Sequence, residues 1–160
     1  MDISYSLNTL YFLLSGVLVM WMAAGFTMLE AGSVRSKNVI EILLKNIALY
    51  SVASIGFLLF GYSIMYGWGD IDTHSIYADF FFQVVFVATA MSVVSGAVAE
   101  RKKLWTFLLF ASLFTTLIYP IQGAWSWGGG WLSERGFFDF AGSGIVHMAG
   151  AAAALARVLI

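Results

Sequence analysis

The chain has 160 residues, of which 61% are apolar, 17% aromatic and only 11% charged, and its net charge is −1. A soluble domain carries roughly 25% charged residues, so the composition excludes one, and it offers no clustered basic face for a nucleic-acid partner. With no cysteine in the chain, neither a disulfide framework nor a thiolate metal site is available.

Read from the start, Met1 to Ser6 lack the basic region of a cleavable signal peptide, so the first apolar run is expected to remain. Leu10 to Leu29 is free of charge and long enough to cross a hydrocarbon core of roughly 30 Å. A helix is predicted over residues 8–33, giving way after Glu30-Ala31-Gly32 to the polar turn Arg35-Ser36-Lys37-Asn38. The second helix is predicted over 39–66, with Glu41 and Lys45 forming an i,i+4 pair at the interface. An acidic connection follows, with Asp70, Asp72, His74 and Asp79 and no Lys or Arg; His74 receives no functional reading. The third helix covers 79–99 and ends in the basic turn Glu100-Arg101-Lys102-Lys103. The fourth covers 103–125, where Pro120 is expected to kink or end it. Trp125 to Trp131, rich in Trp and Gly, reads as a loop with indole rings at the headgroup level. The fifth helix is predicted over 139–160.

Seven of the eight Lys and Arg residues fall on one side of this arrangement, and only Arg135 lies opposite. The positive-inside rule then puts the N-terminus outside and the C-terminus in the cytoplasm. An odd number of helices suits one member of an inverted pair of repeats, as many transporters have. The expected fold is therefore an all-α, multi-pass membrane protein of five transmembrane helices, one membrane domain over residues 1–160 and half of an inverted-repeat transporter.

Within that frame His147 stands out, because no charged residue lies within seven positions on either side. In a soluble helix such a histidine is by default a satisfied core residue. In lipid a polar ring is costly, and one nitrogen that donates while the other accepts suits a proton relay. Asp139, eight residues earlier, stands roughly 12 Å up the helix axis and is a natural N-cap for the fifth helix. Phe82 and Phe86 share a helix face, a spacing that in an apolar helix usually means packing. Trp127 is by default one more interfacial tryptophan. Gly142, Ser143, Gly144, Gly150 and the alanines after it favour close helix packing.

Three stretches, Met28-Leu29-Glu30-Ala31-Gly32-Ser33-Val34-Arg35-Ser36-Lys37-Asn38, Gly96-Ala97-Val98-Ala99-Glu100-Arg101, and Trp127-Gly128-Gly129-Gly130 with Asp139 to Met148, resemble the motifs of the ammonium transporter family (Amt/Mep/Rh), in the family's order. The resemblance implies about eleven helices in a complete protein, the first five related to the next five by inversion, with this chain matching the N-terminal five-helix half. It implies that Trp127 offers its π-face to a recruited cation, that Phe86 is the outer gate with Phe82 one turn above, and that Asp139 holds the recruitment site together. It implies that His147 is the first of two pore histidines, the second lying beyond residue 160. The implied function is passage of ammonium/ammonia through a hydrophobic pore, with no enzyme chemistry, no metal and no cofactor. The implied partners are the lipid bilayer, two further copies in a homotrimer when complete, and a signal-transduction regulator on the cytoplasmic side. Two alternatives share the same residues: an ammonium-sensing membrane domain of a signalling protein, and a non-conducting fragment.

Overall fold

The computed structural model describes residues 2–159. Asp2 opens the first helix, α1 (Ile3–Ser33), its carboxylate accepting the Ser4 N–H at 3.3 Å. There follow α2 (Ser36–Met65), α3 (Ile76–Ala97), α4 (Leu104–Ala124), the single turn α5 (Trp131–Glu134) and α6 (Ser143–Leu159). Helices α1 to α4 are each long and apolar enough to cross a membrane, and α6 is a shorter apolar helix. No strand occurs among the described residues. Inside a bilayer a helix meets every backbone hydrogen bond within its own segment, which accounts for the all-helical architecture.

The bundle is organised around α3. Val85, Val87, Ala88, Ala90, Met91 and Val94 are fully enclosed on it, and α1, α2 and α6 all pack against it. Gly150 allows the close approach of α6, since a Cβ there would stand 2.7 Å from the Ala90 carbonyl. By contrast α1 buries only Gly16 and Glu30, and it turns Leu7, Leu10, Leu14, Leu18 and Trp21 outward. An apolar stripe with no protein neighbour is what a lipid-facing helix presents.

Helices α2 and α4 each contain one wider, π-type turn, Phe57–Gly61 and Phe114–Ile118, and the two turns pack against each other. Pro120 sits just beyond the second turn, against Gly61. Proline cannot donate a backbone hydrogen bond, but the Tyr119 N–H reaches back five residues to the Phe114 carbonyl and the helix continues to Ala124. The helix expected over 103–125 thus runs through Pro120 to Ala124, with the wide turn directly before the proline.

Other differences from the sequence expectation have local causes. Helix α1 begins at Ile3 because Asp2 caps it, and α3 begins at Ile76, tied to α1 by the Ser75 N–H donating to Thr9 Oγ1 at 3.0 Å. Helix α6 begins at Ser143 rather than Asp139, because Ala141 (φ 55°) and Gly142 (φ 78°) adopt left-handed backbone and turn the chain first. Lys45 does not pair with Glu41. It turns inward, its Nζ 3.0 Å from Glu30 Oε2 and 3.1 Å from the Ser95 carbonyl, while Glu41 stays exposed.

Two polar clusters fix the bundle's opposite ends. At the basic end, Glu100 Oε1 accepts the Arg35 backbone N–H at 3.0 Å, Arg35 Nε at 3.2 Å and the Asn38 amide. This clamps the α1–α2 turn to the end of α3. The Asn38 amide first, then the Arg35 N–H and guanidinium, hold the Glu100 carboxyl below the usual carboxylate range. At the acidic end, Asn8 donates to the Thr73 carbonyl at 3.1 Å and holds the α2–α3 connection against α1.

Candidate functional site

Asp139 builds the site from below. It is buried, and its two carboxylate oxygens accept the backbone N–H groups of Gly144 at 2.9 Å and Ile145 at 2.7 Å. The first N–H groups of a helix have no partner within it, so Asp139 satisfies two of them from five and six residues away. It is thus a cap, as its residue type predicts, but across a turn rather than as the residue next to the helix. The turn requires Gly142: a Cβ there would meet Val146 and, at 3.3 Å, the outer edge of the Trp127 indole. Trp127 Nε1 in turn donates to the Asp139 carbonyl at 3.4 Å. One residue therefore anchors both the start of α6 and the indole.

The indole meets Phe86 edge to face, with ring centroids 5.6 Å apart and planes at 70°. Phe86 meets Phe82 in the same way at 5.0 Å and 86°, and Phe82 meets Phe12 of α1 at 5.3 Å and 83°. Phe12 finally stacks flat on the His74 ring at 4.0 Å and 10°. The result is an unbroken aromatic run from the α2–α3 connection to the loop after α4. It lines a cavity of about 380 Å³ bounded by Phe12, Tyr66, Asp79, Phe82, Phe86 and Trp127. Aromatic faces attract a cation by their quadrupole and can replace part of its hydration without binding it permanently.

Of the residues singled out in the sequence, Phe82, Phe86 and Trp127 come together on this cavity. Asp139 does not line it and holds the indole from behind. His147 lies elsewhere: it is exposed on the wide first turn of α6, where its backbone N–H bonds the Gly142 carbonyl at 3.0 Å. The ring is carried on the open flank of this half of the bundle. Gln122 of α4 steadies that turn by donating to the Ile145 carbonyl at 2.8 Å.

Sequence reasoning missed Phe12, Tyr66, Asp79 and Gln83. A signal for two of them was present, since Asp79, Phe82, Gln83 and Phe86 are spaced i, i+3, i+4 and i+7 and share one face of α3. It also missed the buried cluster in which Glu30 Oε2 accepts from Asn46 Nδ2 at 3.2 Å and Ser95 Oγ at 3.0 Å while pairing with Lys45.

The sequence pattern that defines the Ammonium Transporter Family matches residues 10–160. The chain belongs to this family. Among curated relatives, the ammonium transporter Amt2 of Archaeoglobus fulgidus is 41% identical over 175 residues, a match covering 92% of this chain and 37% of that protein. Ammonium transporter 1 member 3 of Solanum lycopersicum is 36% identical over 171 residues, covering 93% of this chain and 37% of that one. A solved structure named Sensor Amt Protein superposes with a TM-score of 0.90 at 34% identity, covering 98% of this chain and 44% of that chain. The chain spans about two fifths of the length of the curated relatives it matches. The family, the all-helical fold and the multi-pass membrane character agree with the motifs in Met28 to Asn38, Gly96 to Arg101 and Trp127 to Met148.

Proposed function

We propose that this chain forms one half of an ammonium pathway, in which a cation is recruited by the Phe82, Phe86 and Trp127 rings and passes inward as ammonia by way of His147. The observation that carries this reading is the edge-to-face run from Phe82 through Phe86 to Trp127, pinned by Asp139 above the turn that bears His147. An ammonium ion would be held at the aromatic mouth, lose a proton on leaving water and continue as a neutral molecule. Potassium has no proton to lose, so the cost of desolvation would select against it.

His147 lies on the open flank of the bundle, and an imidazole facing lipid is unfavourable, so a matching second half would close the path. On this reading residues 1–160 are a single membrane domain, the N-terminus is outside, and the basic turns at Arg35 to Asn38 and Glu100 to Lys103 are cytoplasmic, where a signal-transduction regulator would meet them. The complete protein would assemble as a homotrimer.

The test is a proteoliposome current measurement on this chain, on the chain joined to a matching second half, and on the joined protein carrying His147→Ala. The joined protein is expected to conduct ammonium. The 160-residue chain alone is expected not to, and the substitution should abolish the current or change its selectivity. A robust current from the chain alone would refute the half-pore reading, and an unchanged current with His147→Ala would remove His147 from the path. A second reading, in which the same mouth binds ammonium to drive a signal, rests on the 0.90 TM-score likeness to the Sensor Amt Protein structure. Ligand binding without current in the joined protein would favour it.

A further inference from the structure

Asp79 is a buried carboxylate without a permanent counterion. It is 8% exposed, and among the described residues no Lys or Arg pairs with it. Its Oδ2 accepts the Tyr62 hydroxyl at 2.6 Å, and its Oδ1 accepts Gln83 Nε2 at a long 3.3 Å. The nearest group able to carry positive charge is His74, whose Nε2 lies 3.9 Å from Oδ1 and is buried with no hydrogen-bond partner. A buried charge held only by neutral donors is costly, and a cation beside it would offset that cost.

Two cavities meet at this carboxylate. One is the aromatic cavity with Phe82, Phe86 and Trp127. The other, of about 340 Å³, is lined by Tyr62, Tyr66, Asp70, Ile71, His74 and Asp79 in the connection between α2 and α3. We propose that Asp79 is a second cation-binding station, one step before the Trp127 mouth, that holds a small monovalent cation bearing N–H groups, and that His74 competes with that cation for the same carboxylate. This rests on the ammonium reading above and names a further site for the same ligand.

The chemistry of the walls selects the ligand class. Two carboxylates, Asp79 and Asp70, among aromatic rings fall short of the six or more oxygens that a calcium or magnesium ion requires, and no cluster of metal-ligating residues occurs among the described residues. An ammonium ion needs less: one charged acceptor for an N–H and π-faces for the remaining charge. His74 is positioned to exchange with it. Its Nδ1 is held by Thr73 Oγ1 at 2.9 Å and its ring lies flat on Phe12, so Nε2 remains directed toward Asp79. A protonated His74 would pair with Asp79, whereas a neutral one leaves the carboxylate to the incoming cation. The other titratable groups facing the site are Tyr62 of α2, Tyr66 directly after that helix and Asp70 from the connection. Phe12 of α1 and Gln83 of α3 face it without titrating.

The experiment measures ammonium chloride binding by calorimetry, and current in proteoliposomes, for the chain joined to a matching second half, at about pH 5 and about pH 8, the interval over which an imidazole titrates. Asp79→Asn is expected to weaken binding about tenfold, the effect of losing one modest charge interaction, and His74→Gln to remove most of the difference between the two pH values. Tyr62→Phe removes a donor but keeps the charge, so it should bind at least as well as the parent. Binding unchanged by Asp79→Asn, a pH response unchanged by His74→Gln, or Tyr62→Phe weakening binding as much as Asp79→Asn would each overturn the proposal. A parent that binds without conducting would refute conduction and leave the Asp79 result readable. A parent that conducts, with Asp79→Asn binding equally well, would overturn this station alone.

Discussion

Replacing Lys45 with methionine tests whether the buried pair at the basic end holds the bundle together. Both side chains are below 10% exposed, and Nζ and Oε2 are 3.0 Å apart. Lys45→Met keeps most of the volume and removes the charge. Glu30 is then left with the Asn46 amide and the Ser95 hydroxyl on Oε2, and with nothing on Oε1, which already lacks a partner. The Ser95 carbonyl loses its donor, and the contact of the ammonium with the Phe107 ring, at 5.2 Å, is lost as well. Breaking a buried pair from one side costs about 3–5 kcal/mol, and the orphaned Glu30 charge puts Lys45→Met inside that range. The double variant Glu30→Gln with Lys45→Met removes both charges and keeps a neutral group beside Asn46 and Ser95, so it should recover most of the loss. The assay is denaturant unfolding of the purified protein in detergent, comparing the parent, both single variants and the double. If Lys45→Met stayed within about 1 kcal/mol of the parent, or the double variant were no better than the single one, the pair would not hold the bundle together.

Two further outcomes follow from other carboxylates. Asp139→Asn leaves one acceptor for two N–H groups and should cost about 1–3 kcal/mol, while a bound-state half-saturation that moves no more than stability does would separate its capping role from direct contact with the cation. Glu100 has a depressed carboxyl value in the folded chain, so the stability it contributes is present above the ordinary carboxylate range and is lost as pH falls through that lower folded value. Protection of the backbone amides of residues 34–38, taken relative to the intrinsic exchange rate at each pH, should accordingly fall as pH drops below the ordinary carboxylate range, and Glu100→Gln should show that low protection at every pH; a turn protected equally with glutamine would refute the clamp.

How much of this was legible in the sequence depends on what each feature rests on. Charge-free runs of helical length locate α1 to α4, because length and apolarity are read directly from residues such as Leu10 to Leu29. The fifth helix was placed too early, since nothing local announces that Ala141 will take a left-handed conformation; that follows from Asp139 reaching over to Gly144 and Ile145. The wide turn before Pro120 was not legible for a related reason, because it packs against α2 and nothing in Phe114 to Ile118 announces it. The pairing of Lys45 with Glu30 instead of Glu41 was hidden because helical spacing reports neighbours along one helix and says nothing of a partner on another. Phe82, Phe86 and Trp127 could be named by resemblance. Phe12 could not, because an isolated phenylalanine in a lipid-length helix has no distinguishing pattern.

Two buried carboxylates meet α3 near its opposite ends, Asp79 on that helix and Glu30 reaching it from α1, and they differ in what balances their charge. Asp79 and Ser95, the residue that binds Glu30, are sixteen positions apart on the same helix, roughly 24 Å along its axis. Glu30 has the ammonium group of Lys45 at 3.0 Å, so its charge is compensated within the protein. Asp79 has two neutral donors and an imidazole at 3.9 Å. An ion arriving at the first would have to displace a lysine that is tethered and already desolvated, whereas an ion arriving at the second would supply charge that the site lacks. A carboxylate at comparable burial is thus tied to a lysine at one end and, on the proposed reading, left to an incoming cation at the other, and the difference is set by whether the counterion is covalently part of the chain.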